Sequence, residues 1–160
     1  MERVNRIIKN DGFKKLVHEI EELETDRIFC HHDIDHFLDV ARIATIIAQD
    51  EGIDKERDII YAAALLHDIG RGEQYKNDIE HELASAAIAP SILSECGYTE
   101  DEIDEIVVAI LNHGNEAVRD DADLAGILYR ADKASRKCYM CKVTDSCHKP
   151  PEKLVMEIKY

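Results

Sequence analysis

Apolar residues recur along most of the chain at spacings of three and four, the period of an α-helix with one buried face. No segment alternates apolar and polar residues with the period of a strand, and no Asn-Gly hairpin signal occurs. The pattern therefore predicts an all-α protein built as one compact helical bundle. The predicted helices cover residues 13–23, 32–48, 54–67, 81–88, 99–113, 124–134 and 152–158. A short helix at 91–96 is predicted to continue the one at 81–88.

A few residues predict where these helices begin and end. Asp54 is a candidate N-cap, and Thr99 followed three residues later by Glu102 has the pattern of a capping box. Glycine and proline interrupt helices, so they predict where several of these segments stop. Such breaks are predicted at Gly52, Gly70, Gly72 and Pro90.

Length and charge narrow the class of protein. A chain of 160 residues suits a single domain, and its formal net charge of −14 argues against non-specific binding to nucleic acid. The segment 130–160 differs, because it holds eight Lys/Arg against four Asp/Glu. The chain has neither the roughly 20 apolar residues needed to cross a bilayer nor a signal-peptide pattern at 1–10, so we expect no membrane span and a cytoplasmic location.

Several histidines and aspartates lie on predicted inward-facing helix positions or at predicted helix ends. His36 shares a helix face with Val40, which predicts an inward-facing imidazole. His67 and Asp68 are adjacent at a predicted helix end, and Asp132 lies on a predicted core face. A mixed nitrogen and oxygen set of this kind suits a divalent metal such as Mn, Fe, Co, Ni, Zn or Mg. A single histidine on an apolar face is more often a hydrogen-bonded core residue than a metal ligand.

The order of the motifs carries a family resemblance. In chain order they are HFLDVARIA from His36, YAAALLHDIGRG from Tyr61, IEHELASAA from Ile79, ILNHGN from Ile110 and YRADKASR from Tyr129. This series resembles the HD-domain superfamily of metal-dependent phosphohydrolases, with AALLHDIG as its most specific part. The resemblance implies a single HD domain over 1–160, with core motifs in 32–136 and a cysteine-containing extension at 137–160.

The resemblance also implies roles for individual residues. One divalent ion would be held by His36, His67, Asp68 and Asp132. A second ion, or the substrate, would contact His32, His81 or His113. Asp68 would also orient the attacking water, and His81 or His113 would protonate the leaving oxygen. The cations near these motifs are candidates for binding phosphate: Arg71, Lys133 and Arg136.

These implied roles predict an enzyme that hydrolyses a phosphate ester or anhydride. The HDxxH form beginning at His32 is similar to small bacterial HD hydrolases, some of which act on nucleotides, so a nucleotide or another small phosphorylated metabolite is the expected substrate. A cyclic-nucleotide or dinucleotide phosphodiesterase with two metal ions is one alternative. A non-catalytic nucleotide-sensing module is another. The presence of all four ligands weighs against it, because a sensor need not keep all four. The sequence leaves the oligomeric state open, a homodimer included.

A cysteine cluster near the C-terminus is a separate candidate site. Cys138, Cys141 and Cys147 follow a C-x2-C-x5-C spacing that suits a structural metal, with His148, Cys30 or Cys96 as the missing ligand. Reduced free thiols are the alternative, because a chain with no secretory signal and an odd number of cysteines does not predict disulfides.

Overall fold

The computed structural model describes residues 1–160 as eight α-helices without a β-strand, which confirms the predicted all-α class. The helices are α1 (Glu2–Lys9), α2 (Asp11–Leu23), α3 (Ile34–Asp50), α4 (Arg57–Leu66), α5 (Arg71–Asn77), α6 (His81–Glu95), α7 (Glu100–Asn112) and α8 (Leu124–Ala134). Short 3₁₀ turns follow α8. None of the eight helices combines the length and the apolar character that crossing a bilayer requires.

The helix α4 is the centre of the bundle. Its residues from Ile59 to Leu66 are buried except for Tyr61, so the helix is apolar on nearly every side. A helix of that kind must be surrounded by other elements. It packs against α3, α7 and α8, and it also contacts α1 and α6. Because α4 ends deep in this core, the residues that follow it, His67 and Asp68, are carried into the interior.

Several predicted boundaries agree with the structure. The α7 capping box at Thr99 and Glu102 is present with both of its hydrogen bonds, and α8 spans the predicted residues 124–134. Gly52 follows the C-cap of α3 with a φ of 67°, a conformation that glycine adopts without strain.

Other predicted boundaries are wrong. The N-cap of α4 is Glu56 rather than Asp54. Pro90 lies inside the single helix α6, where burial of the surrounding residues Ala89 and Ile92 offsets the roughly 3 kcal/mol cost of an internal proline. The sequence pattern did not predict α1 or α5, and Gly72 lies within α5 rather than ending a helix.

The C-terminal helix predicted at 152–158 is also absent. Residues Pro151–Lys153 form only a 3₁₀ turn. The carbonyl of Val155 accepts a hydrogen bond from the backbone N–H of Tyr139 at 3.1 Å, so this part of the chain pairs with an earlier segment instead of coiling on itself.

An ion-pair group fastens α1 to the bundle. The Arg3 guanidinium contacts Asp58 on α4 at 2.8 Å and Glu102 on α7 at 2.6 Å. It also lies 4.3 Å from the centre of the Tyr98 ring, a cation–π distance. This single side chain therefore joins three helices.

Close backbone packing fixes α6 against the end of α4. A Cβ on Gly70 would lie 2.6 Å from the carbonyl oxygen of His81 and 2.7 Å from the Ala84 Cβ. The Gly70 N–H donates to the Ser85 hydroxyl at 2.9 Å. Only glycine permits this approach, which places the start of α6 beside Asp68.

Candidate metal centre

Asp68 stands at the centre of the buried polar cluster. It follows the C-cap of α4 and is 1% exposed, and histidines from three other segments approach its carboxylate. Its two oxygens face different groups of residues, so the cluster has two halves that share one side chain.

The first half surrounds Oδ2 of Asp68. The Nε2 atoms of His67 and His36 lie 3.2 Å and 3.7 Å from this oxygen. From α8, Oδ1 of Asp132 lies 3.6 Å from His36 Nε2 and 4.0 Å from His67 Nε2. The structure therefore brings together the four residues that the resemblance implies as ligands of one ion.

The second half surrounds Oδ1 of Asp68. The Nε2 atoms of His81 and His113 lie 3.3 Å and 3.5 Å from this oxygen, and 3.2 Å from each other. Asp68, His81 and His113 place one potential ligand atom each within 4.8 Å of the others, and all three are buried. His36, His67 and Asp68 meet the same condition in the first half.

Helix C-caps fix the orientation of two of these rings. His67 caps α4, and its Nδ1 lies 2.7 Å from the carbonyl oxygen of Ala64. His113 caps α7, and its Nδ1 lies 2.6 Å from the carbonyl oxygen of Ile110. A carbonyl can only accept, so Nδ1 carries a proton in both rings, and Nε2 is the ring nitrogen that faces the site.

The unpaired nitrogens are the observation that fits a metal ion. His36 Nε2 and His67 Nε2 are buried without a hydrogen-bond partner, which is costly in a folded protein unless a ligand takes that place. Ser135 assists His36, since its hydroxyl donates to the Asp132 carbonyl and lies 3.4 Å from His36 Nδ1. Lone pairs that converge with two carboxylates form a donor set suited to a divalent transition metal.

His32 is held from behind by a buried carboxylate. Glu24 is 2% exposed, and it accepts hydrogen bonds from the backbone N–H of His32 at 2.8 Å and from the Tyr75 hydroxyl at 2.5 Å. The His32 ring contacts the same carboxylate through Nδ1 at 2.5 Å, and its Nε2 lies 3.8 Å from Asp68 Oδ2. Sequence analysis missed Glu24, because no local motif marks it.

Cations line the same cluster. The Arg71 Nε donates to Asp68 Oδ1 at 2.9 Å. Lys133 lies 2.5 Å from Asp132 Oδ2 and also donates to the His113 carbonyl at 3.2 Å. Arg136 lies 3.9 Å from Asp132 Oδ2. These contacts hold the carboxylates in place and leave positive charge at the edge of the site.

Burial and charge decide which groups are ionised. Burial lowers the pKa of His67, and it lowers the pKa of His81 to about 3, so both rings are neutral near pH 7. Burial opposes ionisation of Asp132, but the charge of the adjacent Lys133 ammonium outweighs it and holds the pKa of that carboxyl below its usual range. Neutral imidazoles and ionised carboxylates are the forms that bind metal.

The cysteine cluster does not form a comparable group. Cys138 is buried whereas Cys141 is exposed, and all five cysteines are free thiols. The only two groups whose potential ligand atoms converge are the histidine and aspartate groups around Asp68. Cys138, Cys141 and Cys147, on or beside two successive 3₁₀ turns, do not bring their sulfur atoms into such a group.

The comparison with protein families agrees with the arrangement around Asp68. The HD domain model matches residues 33–137, which contain both halves of the cluster except for His32 and Glu24. The chain belongs to the HD domain family.

Individual relatives extend this result. An uncharacterized protein of Clostridium beijerinckii is 40% identical over 160 residues, and the match covers the full length of both proteins. Ribonuclease Y of Mycoplasma capricolum is 29% identical over 126 residues, which are 79% of this chain and 23% of that protein. A deoxyguanosinetriphosphate triphosphohydrolase-like protein of Rhodopseudomonas palustris is 36% identical over 73 residues, which are 41% of this chain and 16% of that protein.

The two relatives with informative names are therefore much longer than the matched region, since the chain spans less than a quarter of either. No solved structure matches the chain.

Proposed function

We propose that this HD-domain protein is a metal-dependent phosphohydrolase that cleaves a phosphate ester or anhydride of a nucleotide or another small phosphorylated metabolite. The family and the two hydrolase relatives support a metal-dependent phosphohydrolase in general. The observation that carries the proposal is the position of Asp68, whose two oxygens each face a separate group of imidazole nitrogens.

We assign the first ion to His36, His67, Asp68 and Asp132, and a second ion to Asp68, His81 and His113. The unpaired buried Nε2 atoms of His36 and His67 fit the first ion. The neutral ring of His81 fits the second. A divalent ion in such a site lowers the pKa of coordinated water and polarises phosphoryl oxygens. Asp68, between the two halves, orients the attacking water relative to the phosphorus.

The chain's own cations recognise the phosphate. Arg71 presents a guanidinium beside Asp68 Oδ1, and Lys133 presents an ammonium beside Asp132. Negative charge grows on the phosphoryl oxygens during hydrolysis, and fixed cations stabilise it. His32, held by Glu24 through Nδ1, directs its Nε2 toward the same space, where it can contact the substrate.

The decisive experiment measures hydrolysis of p-nitrophenyl phosphate by metal-stripped protein with Mn²⁺, Co²⁺, Ni²⁺, Zn²⁺ or Mg²⁺ added singly. We expect activity only with added metal, and none in Asp68→Asn. Activity that survives metal removal, or that is equal in Asp68→Asn, would contradict the proposal.

The second group of ligands favours one alternative, a two-metal phosphodiesterase. Two ions on either side of one carboxylate can stabilise both the attacking and the leaving oxygen of a diester. Hydrolysis of bis(p-nitrophenyl) phosphate distinguishes the two functions. A preference for this diester over the monoester would favour the phosphodiesterase, whereas the opposite preference would favour the monoester or anhydride hydrolase.

A further inference from the structure

Glu24 is a buried carboxylate whose two oxygens have different partners. It is the C-cap of α2 and is 2% exposed. Its Oε2 accepts the backbone N–H of His32, whereas its Oε1 accepts the Tyr75 hydroxyl and contacts Nδ1 of the His32 ring. A buried charge destabilises a protein unless such partners compensate it. The HD domain model, which begins its match at residue 33, does not account for this carboxylate.

The ionised carboxylate determines which nitrogen of the His32 ring is protonated. Burial opposes ionisation of Glu24, but the hydrogen bonds from His32 and Tyr75 outweigh it and lower the pKa of this carboxyl to about 2. Near pH 7 both oxygens can therefore only accept hydrogen bonds, so Nδ1 of His32, at 2.5 Å, must carry a proton. Nε2 is the nitrogen that remains to face the cluster.

His32 Nε2 lies where it can share a bound molecule with Asp68. It is 3.8 Å from Asp68 Oδ2, the oxygen that also faces His36 and His67. That distance is too long for a direct hydrogen bond, but it suits two groups that both contact one oxygen atom of a water molecule or a phosphate between them. Because His32 is not among the residues assigned to either ion, its Nε2 remains for that contact.

The same carboxylate also holds α5. Tyr75 lies on this helix one turn after Arg71, and the Arg71 Nε donates to Asp68 Oδ1 at 2.9 Å. Glu24 therefore holds two segments that reach different oxygens of Asp68. Its contact with the α5 segment goes through a hydroxyl, which can donate or accept, whereas its contact with His32 fixes the orientation of a ring.

We propose that Glu24 is a positioning residue for phosphate hydrolysis and acts through His32, whose Nε2 it directs onto the water or phosphoryl oxygen beside Asp68 Oδ2. This inference rests on the proposed phosphohydrolase function, and it adds to that function a carboxylate–imidazole pair outside the metal ligands. Glu24 lies behind the ring, and His32 is the group that makes the contact.

Replacing Glu24 by glutamine should reverse the tautomer of the ring while the side chain keeps its shape. The backbone N–H of His32 can only donate, so the amide oxygen must take the place of Oε2. The amide NH₂ then takes the place of Oε1 beside His32 Nδ1, which must accept. The Tyr75 hydroxyl can rotate and accept from the same NH₂, so α5 stays attached. An imidazole held in the wrong tautomer beside an amide loses its function.

Nitrogen-15 NMR reads this tautomer without any hydrolysis. Long-range ¹H–¹⁵N spectra are recorded on the metal-free full chain under mildly alkaline conditions, and the signals that disappear in His32→Gln identify the ring. We expect a proton on Nδ1 in the wild type and on Nε2 in Glu24→Gln. Glu19→Gln, which changes a partly buried carboxylate of α2 that pairs with Lys76, is the control and should keep the wild-type tautomer. An Nδ1 that keeps its proton in Glu24→Gln would overturn the proposal.

Kinetics with p-nitrophenyl phosphate at saturating metal test whether Glu24 acts through His32. His32→Gln and Glu24→Gln should each lower kcat at least about tenfold, the effect of losing an orienting partner. The double variant should be no slower than His32→Gln, because residues that act as one unit are not additive. Glu24→Asp keeps a carboxylate that can only accept, so it should regain part of the lost kcat. Glu19→Gln should react as the wild type does, and all variants should bind the wild-type amount of metal.

Two kinetic results would also overturn the inference. One is wild-type kcat in Glu24→Gln, and the other is a double variant whose loss is the product of the two single losses, which would mean that Glu24 acts elsewhere. Urea unfolding checks that the variants fold. If Glu24→Gln does not fold, Glu24→Asp replaces it, and its smaller loss should likewise vanish in the His32→Gln background. A wild type that hydrolyses no phosphate ester would refute the proposed function, whereas the NMR result would still decide whether Glu24 sets the tautomer of His32.

Discussion

The Nε2 atoms of His81 and His113 lie 3.2 Å apart, and both face the same oxygen of Asp68. The backbone carbonyl of Ile110 accepts a hydrogen bond from His113 Nδ1, so Nε2 is the nitrogen that faces this contact. A proton or a metal ion must therefore lie between these groups. The second ion proposed above would take this place.

His81→Ala should reduce the metal content. The wild type, dialysed after loading with Mn²⁺, should contain two ions per chain, and the variant one, because the second half of the cluster keeps only Asp68 and His113. Inductively coupled plasma mass spectrometry gives the count. His18→Ala, which removes an exposed histidine on α2, is the control. One ion in both the wild type and His81→Ala would rule out the second ion.

The two His-Asp dipeptides should differ in function. Asp33 caps α3 by accepting the His36 N–H at 2.8 Å, whereas Asp68 faces the imidazoles. Asparagine caps a helix as well as aspartate does, so Asp33→Asn should keep activity within about twofold. Asp68→Asn should lose at least about 100-fold in kcat/KM, because even the partners of metal ligands are worth that much. Equal activities of the two variants on p-nitrophenyl phosphate would refute this distinction.

Gly70→Ala should destabilise the fold. The new Cβ meets backbone of α6, which cannot move as a flexible side chain can, so the free energy of unfolding should fall by about 1–3 kcal/mol. Gly72→Ala is the matched control. Its Cβ would meet only the Glu19 carboxylate at 3.4 Å, and alanine favours helix by up to about 1 kcal/mol. Urea unfolding measures the free energy of unfolding of both variants. Similar values would show that the close approach of α6 to Gly70 does not require glycine.

The Arg3–Glu102 pair should make stability depend on pH. The hydrogen bond from Arg3 lowers the pKa of Glu102 from 4.5 to about 2. A carboxyl whose pKa is lower in the folded state stabilises the protein above about pH 4.5, and this contribution disappears as the pH falls toward 2.

Glu102→Gln should therefore cost about 1 kcal/mol at pH 7, the upper range for a partly exposed ion pair, and almost nothing near pH 2. Glutamine can still complete the capping box with Thr99, so the variant isolates the charge. Glu157→Gln, at an exposed position, is the control. Thermal unfolding from pH 7 to pH 2.5 tests this, and a penalty independent of pH would contradict it.

The sequence predicts the local part of the site well. His67 and Asp68 are neighbours at a helix end, and the faces of α3 and α8 direct His36 and Asp132 inward by helical period alone. Short motifs with fixed spacing carry this information, and the structure brings these four residues together as expected.

Long-range contacts could not be predicted in the same way. Glu24 reaches His32 across a loop that has no regular period, and Phe29 meets His148 across most of the chain. Pro90 is a similar case, since local preference predicts a break at this residue whereas burial along α6 keeps one helix. Packing decides these features, and single-sequence patterns do not report packing.

The two C-cap histidines have a consequence for assembly. The carbonyls of Ala64 and Ile110 choose the tautomer of His67 and His113 as soon as α4 and α7 have formed. An arriving ion therefore finds both rings already turned with Nε2 toward the site, so capture should be rapid. The folded helices therefore preorganise these two ligands. An unfolded chain lacks the helices and would bind metal only weakly.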